Sequence, residues 1–320
     1  MKALVAQDLT GTPGLTYSDV TDVDSDVDVV IDVGAAGVCF PDLLYIRGEY
    51  QHKMDPPFIP GMEVAGVVRS APTGSGYSVG QRVSAFTTFG GYSEQVAVAP
   101  EQLVPIPDDL DDAEAVCLLA NYYTMYFALV QRGALQQGET VLVLGSAGGV
   151  GTAAVQVAKA LGARVIAMVH RAHAVDYVKS LGADVVVPLS DNWPKVVKEH
   201  TRGQGVDIVV DPVGGPVFDD AIRTLGRDGR LLVIGFAAGA IPTVKVNRLL
   251  LRNIGVLGVS FGDYITHSPA VRATVAAGVN RLVAAGLRPP PPVRFPLSDG
   301  RAALEALAAG KVLGKVVLEP

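Results

Sequence analysis

The residues of this chain best placed to do chemistry are the glycines of Gly145–Gly151, in the run VLVLGSAGGVG. An apolar stretch with the look of a strand enters a glycine-rich turn, and the turn opens the helical pattern VGTAAVQVAKALGA. At such a junction the backbone N–H groups of a helix N-terminus can receive a pyrophosphate. Gly145, Gly148 and Gly151 lie three apart, a departure from the plain GxGxxG spacing, yet each can be given a role. Gly145 allows the tight turn, Gly148 the close approach of backbone to phosphate, and Gly151 close packing of helix on strand. Ser146, Ala147, Gly149 and Val150 complete the cradle, Ala147 being small enough to keep the phosphates near. No GK[ST] follows, which disfavours nucleotide hydrolysis.

The next strand decides which dinucleotide fits. A bare adenosine ribose calls for a carboxylate about twenty residues beyond the first glycine. Here the strand ends AMVHRAH, and no acid appears before Asp176. His170 and Arg171 stand where an added 2′-phosphate would lie, and a guanidinium makes a strong fork for phosphate. The expected cofactor is therefore NADPH. Two further glycine turns, at Gly214–Gly215 and Gly235–Ala238, follow later strands at the edge where ligands bind, so Gly214, Gly235 and Phe236 join the expected cofactor contacts. Asp211 is expected to orient local backbone. His52, His200 and His267 read as ordinary solvated side chains, and spacing forces no Ser–His–Asp or Cys–His arrangement.

To hold these turns side by side the chain needs a parallel sheet. Its middle repeats a βα rhythm, with strands expected at Val141–Leu144, Arg164–Val169, Asp184–Val187, Asp207–Asp211, Arg230–Gly235 and Ile254–Val259. Helical patterns at Gly151–Leu161, Ala172–Leu181, Trp193–His200 and Val217–Leu225 separate the first five, the pattern of a doubly wound sheet. The first 106 residues differ, with short strand patterns punctuated by glycine and proline, closer to a partly open barrel. The acidic stretch Asp19–Asp28 reads as a solvated face. Asp111, with Glu114 three residues on, predicts a capping box before two apolar-faced helices, Ala113–Ala120 and Tyr122–Arg132.

Composition narrows the function classes. The 26 Lys and Arg against 32 Asp and Glu give a net charge of −6 without a basic cluster, which argues against a nucleic-acid partner. The start MKALVAQDLTG has no apolar segment of a secretory signal, and the apolar runs break before ~18 residues, so no membrane span is expected. Cys39 and Cys117 make neither a disulfide framework nor a CxxC site, and a reduced, cytoplasmic protein is the expectation.

The combination of IRGEYQHKMDPPFIPGMEVAGVV, VLVLGSAGGVGTAAVQVAKALGA and GKVVL resembles the medium-chain dehydrogenase/reductase superfamily, and within it the zinc-independent quinone oxidoreductase branch. The resemblance implies a six-stranded Rossmann domain, residues 125–260, inserted in a mostly β, barrel-like (GroES-like) catalytic domain built from residues 1–124 and 261–320. It also implies a homodimer paired through Ile254–Val259. In zinc-dependent cousins a cysteine in GVCxxD, a histidine in PGHE and a later cysteine hold the metal. Here Cys39 in GVCFPD matches the first, but Met62 replaces the histidine and Ala120 the later cysteine, so no catalytic metal is expected.

By the same resemblance Tyr50 is the foremost substrate-side residue, with Tyr45, Asn121 and Tyr122 as further pocket candidates beside Cys39. Thr124 is expected beneath the phosphates, with Lys311 and Lys315 near them. Phe261 and Tyr264 either close the substrate side or pack the return to the first domain. The implied activity is NADPH-dependent, metal-free reduction of a small electrophilic substrate, a quinone or related conjugated carbonyl. An enoyl-thioester reductase is the nearest alternative, and a non-catalytic NADPH-binding protein the alternative of another class.

Overall fold

The computed structural model describes residues 1–320, the side chains of Thr266 and Pro269 excepted. The chain divides into two units, Met1–Ala120 with Pro289–Pro320, and Asn121–Arg288. In the first lie β1 (Lys2–Ala6), β2 (Leu15–Asp19), β3 (Val29–Val38), β4 (Glu63–Ser70), β5 (Arg82–Phe86), β6 (Gln95–Val98) and β7 (Leu103–Pro105). The second holds β8 (Thr140–Val143), β9 (Arg164–Val169), β10 (Val185–Pro188), β11 (Val206–Asp211), β12 (Leu225–Val233) and β13 (Gly255–Gly258). The chain then returns to the first unit with β14 (Val293–Pro296) and β15 (Val316–Glu319).

The first unit is a seven-stranded, mostly antiparallel sheet in the order β14-β15-β3-β4-β5-β7, with β6 also pairing β3, beside the hairpin of β1 and β2. The long strand β3 is its axis. Its Val29, Ile31, Val33 and Ala36 enter a core shared with Val64 and Val68 of β4, Val83 and Ala85 of β5, and Val316 and Leu318 of β15. Burying these branched side chains on one sheet face is the main stabilising contribution, roughly 1.5–3 kcal/mol for each fully buried Val, Leu or Ile. The mostly β, barrel-like domain that the resemblance implied is this sheet.

The second unit is the expected doubly wound sheet, all parallel, in the order β10-β9-β8-β11-β12-β13. Val141–Val143 of β8 and Ile208–Val210 of β11 are buried on both faces, which accounts for these apolar runs. The order reverses between β8 and β11, so the turns after these strands flank the crevice where ligands bind such sheets.

Three expectations shift. The unit boundaries, expected after residues 124 and 260, fall after residues 120 and 288. The helix Pro269–Ala284 causes the second shift: its Val275, Val279 and Val283 are buried, and its Gly278 lies so close to the Tyr126 ring that a methyl group there would overlap it. Phe261 and Tyr264 also pack within the second unit, their rings 5.5 and 5.1 Å from that of Phe127. Finally, the helical run Asp112–Arg132 contains an 18-residue window of mean hydropathy 1.3, long and apolar enough by composition to cross a membrane. Of that window 78% is buried inside the protein, as befits a core helix, and its start carries the predicted Asp111–Glu114 capping box.

Candidate active site

The glycine turn is built as its residue types dictate. Leaving β8, the chain enters left-handed backbone at Gly145, with φ 59°. A side chain there would be strained and would crowd Val213, in the neighbouring turn after β11. The fully buried Ser146 hydroxyl donates to the Val143 and Met168 carbonyls at 2.8 and 2.9 Å, tying the turn to the end of β9. Gly148 is the N-cap of the helix Gly149–Ala160, exposed and extended, with no atom nearer than 3.6 Å to where a Cβ would stand. Gly151 is the opposite case. A methyl group there would stand 2.6 Å from Ser146 Cα and closer still to the Gly145 carbonyl oxygen, so only glycine lets the helix start beneath its own turn.

The result is a helix N-terminus reached through an exposed glycine, where partial positive charge and unpaired N–H groups favour an anion. Ala147 is buried in the turn, and Val150 is half-buried on the first helical turn. The other turns line the same edge of the sheet. Asp211 Oδ1 accepts from the Val213 and Gly214 N–H groups, both at 2.8 Å, while its Oδ2 lacks a partner and burial raises its pKa. It therefore shapes the turn, as the sequence suggested. Gly214, at φ 62°, lies under the Phe236 ring, and the segment after Gly235 is fastened to it by Ala237 N–H donating to the Pro212 carbonyl at 3.1 Å. His170 is exposed and Arg171 half-buried, directly after β9.

The helical residues expected at the substrate and phosphates separate. Asn121 is 7% exposed, and its amide nitrogen lies 2.6 Å from where a Cβ on Gly149 would stand, so it packs on the glycine turn itself. Tyr122 requires correction. It is 2% exposed with its hydroxyl bonded to Gln156, a core residue rather than a pocket wall. Thr124 remains half-exposed.

In the first unit, Cys39 is the N-cap of the short helix Phe40–Tyr45, and its N–H donates to Asp42 Oδ2 at 2.7 Å. Tyr92 donates its hydroxyl to the same oxygen at 2.7 Å, while Asp42 Oδ1 is buried without a partner. Burial pushes the Asp42 carboxyl up to about 6 despite those two donors. The Cys39 thiol donates to Glu63 Oε1 at 3.2 Å and accepts from Lys315 Nζ at 3.1 Å, and Lys315 forms an ion pair with Glu63. Glu63 Oε2 accepts from the Ala120 N–H at 2.7 Å. Gly37 on β3 makes the room, since a Cβ there would stand 2.7 Å from Glu63 Cδ.

This cluster corrects the expectation for Lys315. Its ammonium is engaged by Glu63 and Cys39 at 7% residue exposure, so it is not available as a phosphate contact; Lys311 is exposed. Burial works against the Lys315 charge, but Cys39 and Glu63 outweigh it and hold its pKa up. The Cys39 thiol is likewise pushed well up, first by burial and then by the Glu63 charge. Sequence reasoning did not find this triangle, although a charged residue at the head of each apolar strand, Glu63 on β4 and Lys315 just before β15, was a signal for it. These residues do not suit a zinc ion. Only Cys39 and Glu63 are donors of the right kind, and a fixed ammonium already lies against both.

Tyr45 and Tyr50 belong to an aromatic group of the first unit, with ring centroids 4.5 Å apart. Phe89 meets the Tyr45 ring edge-on at 4.9 Å, and His52 lies 6.2 Å from Tyr50. Tyr45 is buried and its phenol is raised to about 12 by burial, while Tyr50 is half-buried.

Comparison with known proteins gives a consistent picture. The family described as "Alcohol dehydrogenase GroES-like domain" matches residues 25–108, and "Zinc-binding dehydrogenase" matches residues 149–277. "Quinone oxidoreductase-like protein 2" of Bos taurus is 33% identical over 91% of this chain and 84% of its own. The structure of a probable oxidoreductase from Mycobacterium abscessus is 57% identical, with a TM-score of 0.93 over 100% of this chain and 99% of that one. The quinone oxidoreductase of Thermus thermophilus, solved alone and with NADPH, is 33% identical with a TM-score of 0.84 over 100% of both chains.

Proposed function

This chain belongs to the medium-chain dehydrogenase/reductase superfamily, in its quinone oxidoreductase branch, and we propose that it reduces quinones or related conjugated carbonyls with NADPH. The observation that carries the reading is the glycine turn Gly145–Gly151, open at Gly148 and followed across the sheet by His170 and Arg171 with no acid. NADPH, when bound, supplies the hydride. The N–H groups of the turn and of the first turn of the helix Gly149–Ala160 would hold its pyrophosphate, with Thr124, Asn121, Gly214, Gly235 and Phe236 as further contacts to the cofactor. Arg171 and His170 would hold the 2′-phosphate, a guanidinium being suited to phosphate.

A planar, already conjugated acceptor needs no Lewis acid, because charge arriving with the hydride spreads over its π system. The protein then contributes orientation and exclusion of water, the larger part of which is entropic. Tyr50 contacts the acceptor through its ring and hydroxyl, supported by Tyr45 behind it. Cys39 acts indirectly by fixing the start of the Phe40–Tyr45 helix.

The assay is a steady-state NADPH oxidation screen with 1,4-benzoquinone, 9,10-phenanthrenequinone, short enals and an enoyl thioester. Turnover is expected with the quinones and enals. Turnover confined to the enoyl thioester, or normal cofactor binding with every acceptor inert, overturns the reading. Cofactor choice has its own test: fluorescence titration should give tighter binding of NADPH than NADH, and Arg171→Ala should remove most of that difference.

The partner is a second copy of the chain. Among the described residues strand β13 pairs only with β12, leaving its other edge open, and Ile241, Val246, Leu250 and Leu251 are each more than 70% exposed nearby in sequence. An open apolar edge of this kind is a site for strand pairing. Leu250→Glu should convert a dimer to a monomer in sedimentation velocity, and a wild-type chain that sediments as a monomer contradicts the assignment. The reducing cytoplasm is the compartment proposed, in keeping with two unpaired, buried cysteines.

A further inference from the structure

The triangle of Cys39, Lys315 and Glu63 is a buried set of a nucleophile, an amine and a base that hydride transfer does not use. The Lys315 nitrogen and the Cys39 sulfur are already in contact at 3.1 Å, and the thiol points its proton at Glu63 Oε1 at 3.2 Å. The other cysteine, Cys117, has a different environment: it donates to the Ala113 carbonyl within its own helix at 3.0 Å. We propose that Cys39 and Lys315 are the two ends of a peroxide-driven, thiol-reversible crosslink, a sulfenamide bond between Sγ and Nζ.

The chemistry takes two steps, with hydrogen peroxide as the oxidant. In the first, the sulfur attacks the O–O bond and loses two electrons. The S–H becomes S–OH and the peroxide leaves as water, with Glu63 relaying the thiol proton. In the second, Glu63 first takes one ammonium proton from Lys315 and frees the nitrogen lone pair; the amine then attacks that sulfur, the S–O bond breaks, and the hydroxyl leaves as a second water. Of the three ammonium protons one completes this water, one stays on the nitrogen, and Glu63 takes the third. Condensation of a sulfenic acid with a neighbouring nitrogen is established chemistry, and it shields the sulfur from further oxidation.

Two features of the site favour closure. Nitrogen and sulfur meet without a search, the condition under which intramolecular reactions gain most. The product also carries no charge, whereas the starting ammonium and carboxylate bear the desolvation cost of a buried ion pair. Burial, which holds the thiol in its protonated form, makes the first step slow. Cys39 therefore responds to sustained peroxide rather than to a brief pulse. A dithiol reverses the bond by attacking sulfur, and the departing amine recovers its proton from Glu63. While closed, the link ties the residue before β15 to the first turn of the Phe40–Tyr45 helix.

The test exposes the full-length reduced protein to hydrogen peroxide, blocks remaining thiols, and analyses a non-reducing tryptic digest by mass spectrometry. The expected product joins the Cys39 and Lys315 peptides at a mass two hydrogens below their sum, with cleavage after Lys315 lost. Dithiothreitol should restore both peptides, and Cys117 should remain a blockable thiol. In Lys315→Arg, which keeps a cation beside Glu63, no link should form and Cys39 should proceed to sulfinic acid. Three outcomes overturn the proposal: wild-type Cys39 reaching sulfinic acid unlinked, Cys39 staying reduced at that dose, or a link retaining an extra oxygen. If Lys315→Arg fails to fold by circular dichroism, the wild-type masses still decide.

Discussion

Two alanine substitutions, three residues apart in one turn, should separate stability from affinity. At Gly151 an added methyl group would overlap backbone, 2.6 Å from Ser146 Cα and nearer still to the Gly145 carbonyl oxygen. No rotamer relieves that, so turn and helix must part by about an ångström, at an overpacking cost of roughly 1–3 kcal/mol. The same movement misaims the N–H groups of the helix start. Losing one charge-assisted hydrogen bond to phosphate is worth roughly 1.5–3 kcal/mol, about ten- to hundredfold in Kd. At Gly148 the protein itself has room, since the nearest atom is the Gly145 carbonyl oxygen at 3.6 Å and the backbone has φ −84°. Gly148→Ala should therefore unfold at the wild-type denaturant midpoint while its methyl group holds the pyrophosphate off, weakening NADPH by about tenfold or more. Gly151→Ala should lose both. The readouts are urea unfolding without cofactor and NADPH fluorescence titration. If Gly148→Ala binds NADPH like the wild type, the turn is not the pyrophosphate cradle. If Gly151→Ala is as stable as the wild type, the packing argument fails.

Other consequences follow from the buried polar groups of the first unit. Lys315→Met strands the Glu63 carboxylate in the interior and should destabilise by about 3–5 kcal/mol, whereas adding Glu63→Gln should recover most of that loss. Equal urea midpoints for the single and double variants would show that the pair is not coupled. Asp42 has the opposite sign from a salt-bridged carboxylate. With its carboxyl at about 6 in the fold against 3.8 in the open chain, the native state retains a proton that the unfolded state releases, so its contribution to stability falls as pH rises from about 4 to about 6. The penalty is roughly 3 kcal/mol above that window. Asp42→Asn should therefore gain on the wild type between those pH values, and a constant difference across them counts against the assignment. Tyr50→Phe should lower kcat/KM for quinones without changing the Kd of NADPH, and a loss of NADPH affinity instead would place Tyr50 at the cofactor.

What the sequence made legible was local. The βα rhythm of the second unit follows from apolar runs and turns that need only their neighbours, and strands β8, β9 and β11 lie within a residue of their expected limits. The Asp111–Glu114 capping box is closed by residues three apart. Non-local partnerships were not legible. The ion pair of Lys315 with Glu63 spans most of the chain, and nothing near GKVVL says that its lysine turns inward. Tyr122 is expected at the pocket from the family resemblance, but only the fold reveals Gln156 as the partner of its hydroxyl. The helix Pro269–Ala284 followed a good periodic pattern, yet periodicity does not say which of two cores a helix face will join.

The position of β15 sets an order on the birth of this protein. It lies between β14 and β3, so β3 waits for a strand made long after it. Until residues 315–318 leave the ribosome, Glu63 and Cys39 lack Lys315 beside them and the edge of β3 that pairs with β15 is bare. The second unit, whose residues are contiguous, can fold while the first is still waiting. A nascent chain halted before residue 315 would thus hold a finished nucleotide-binding sheet and a first-unit sheet with the edge of β3 unpaired.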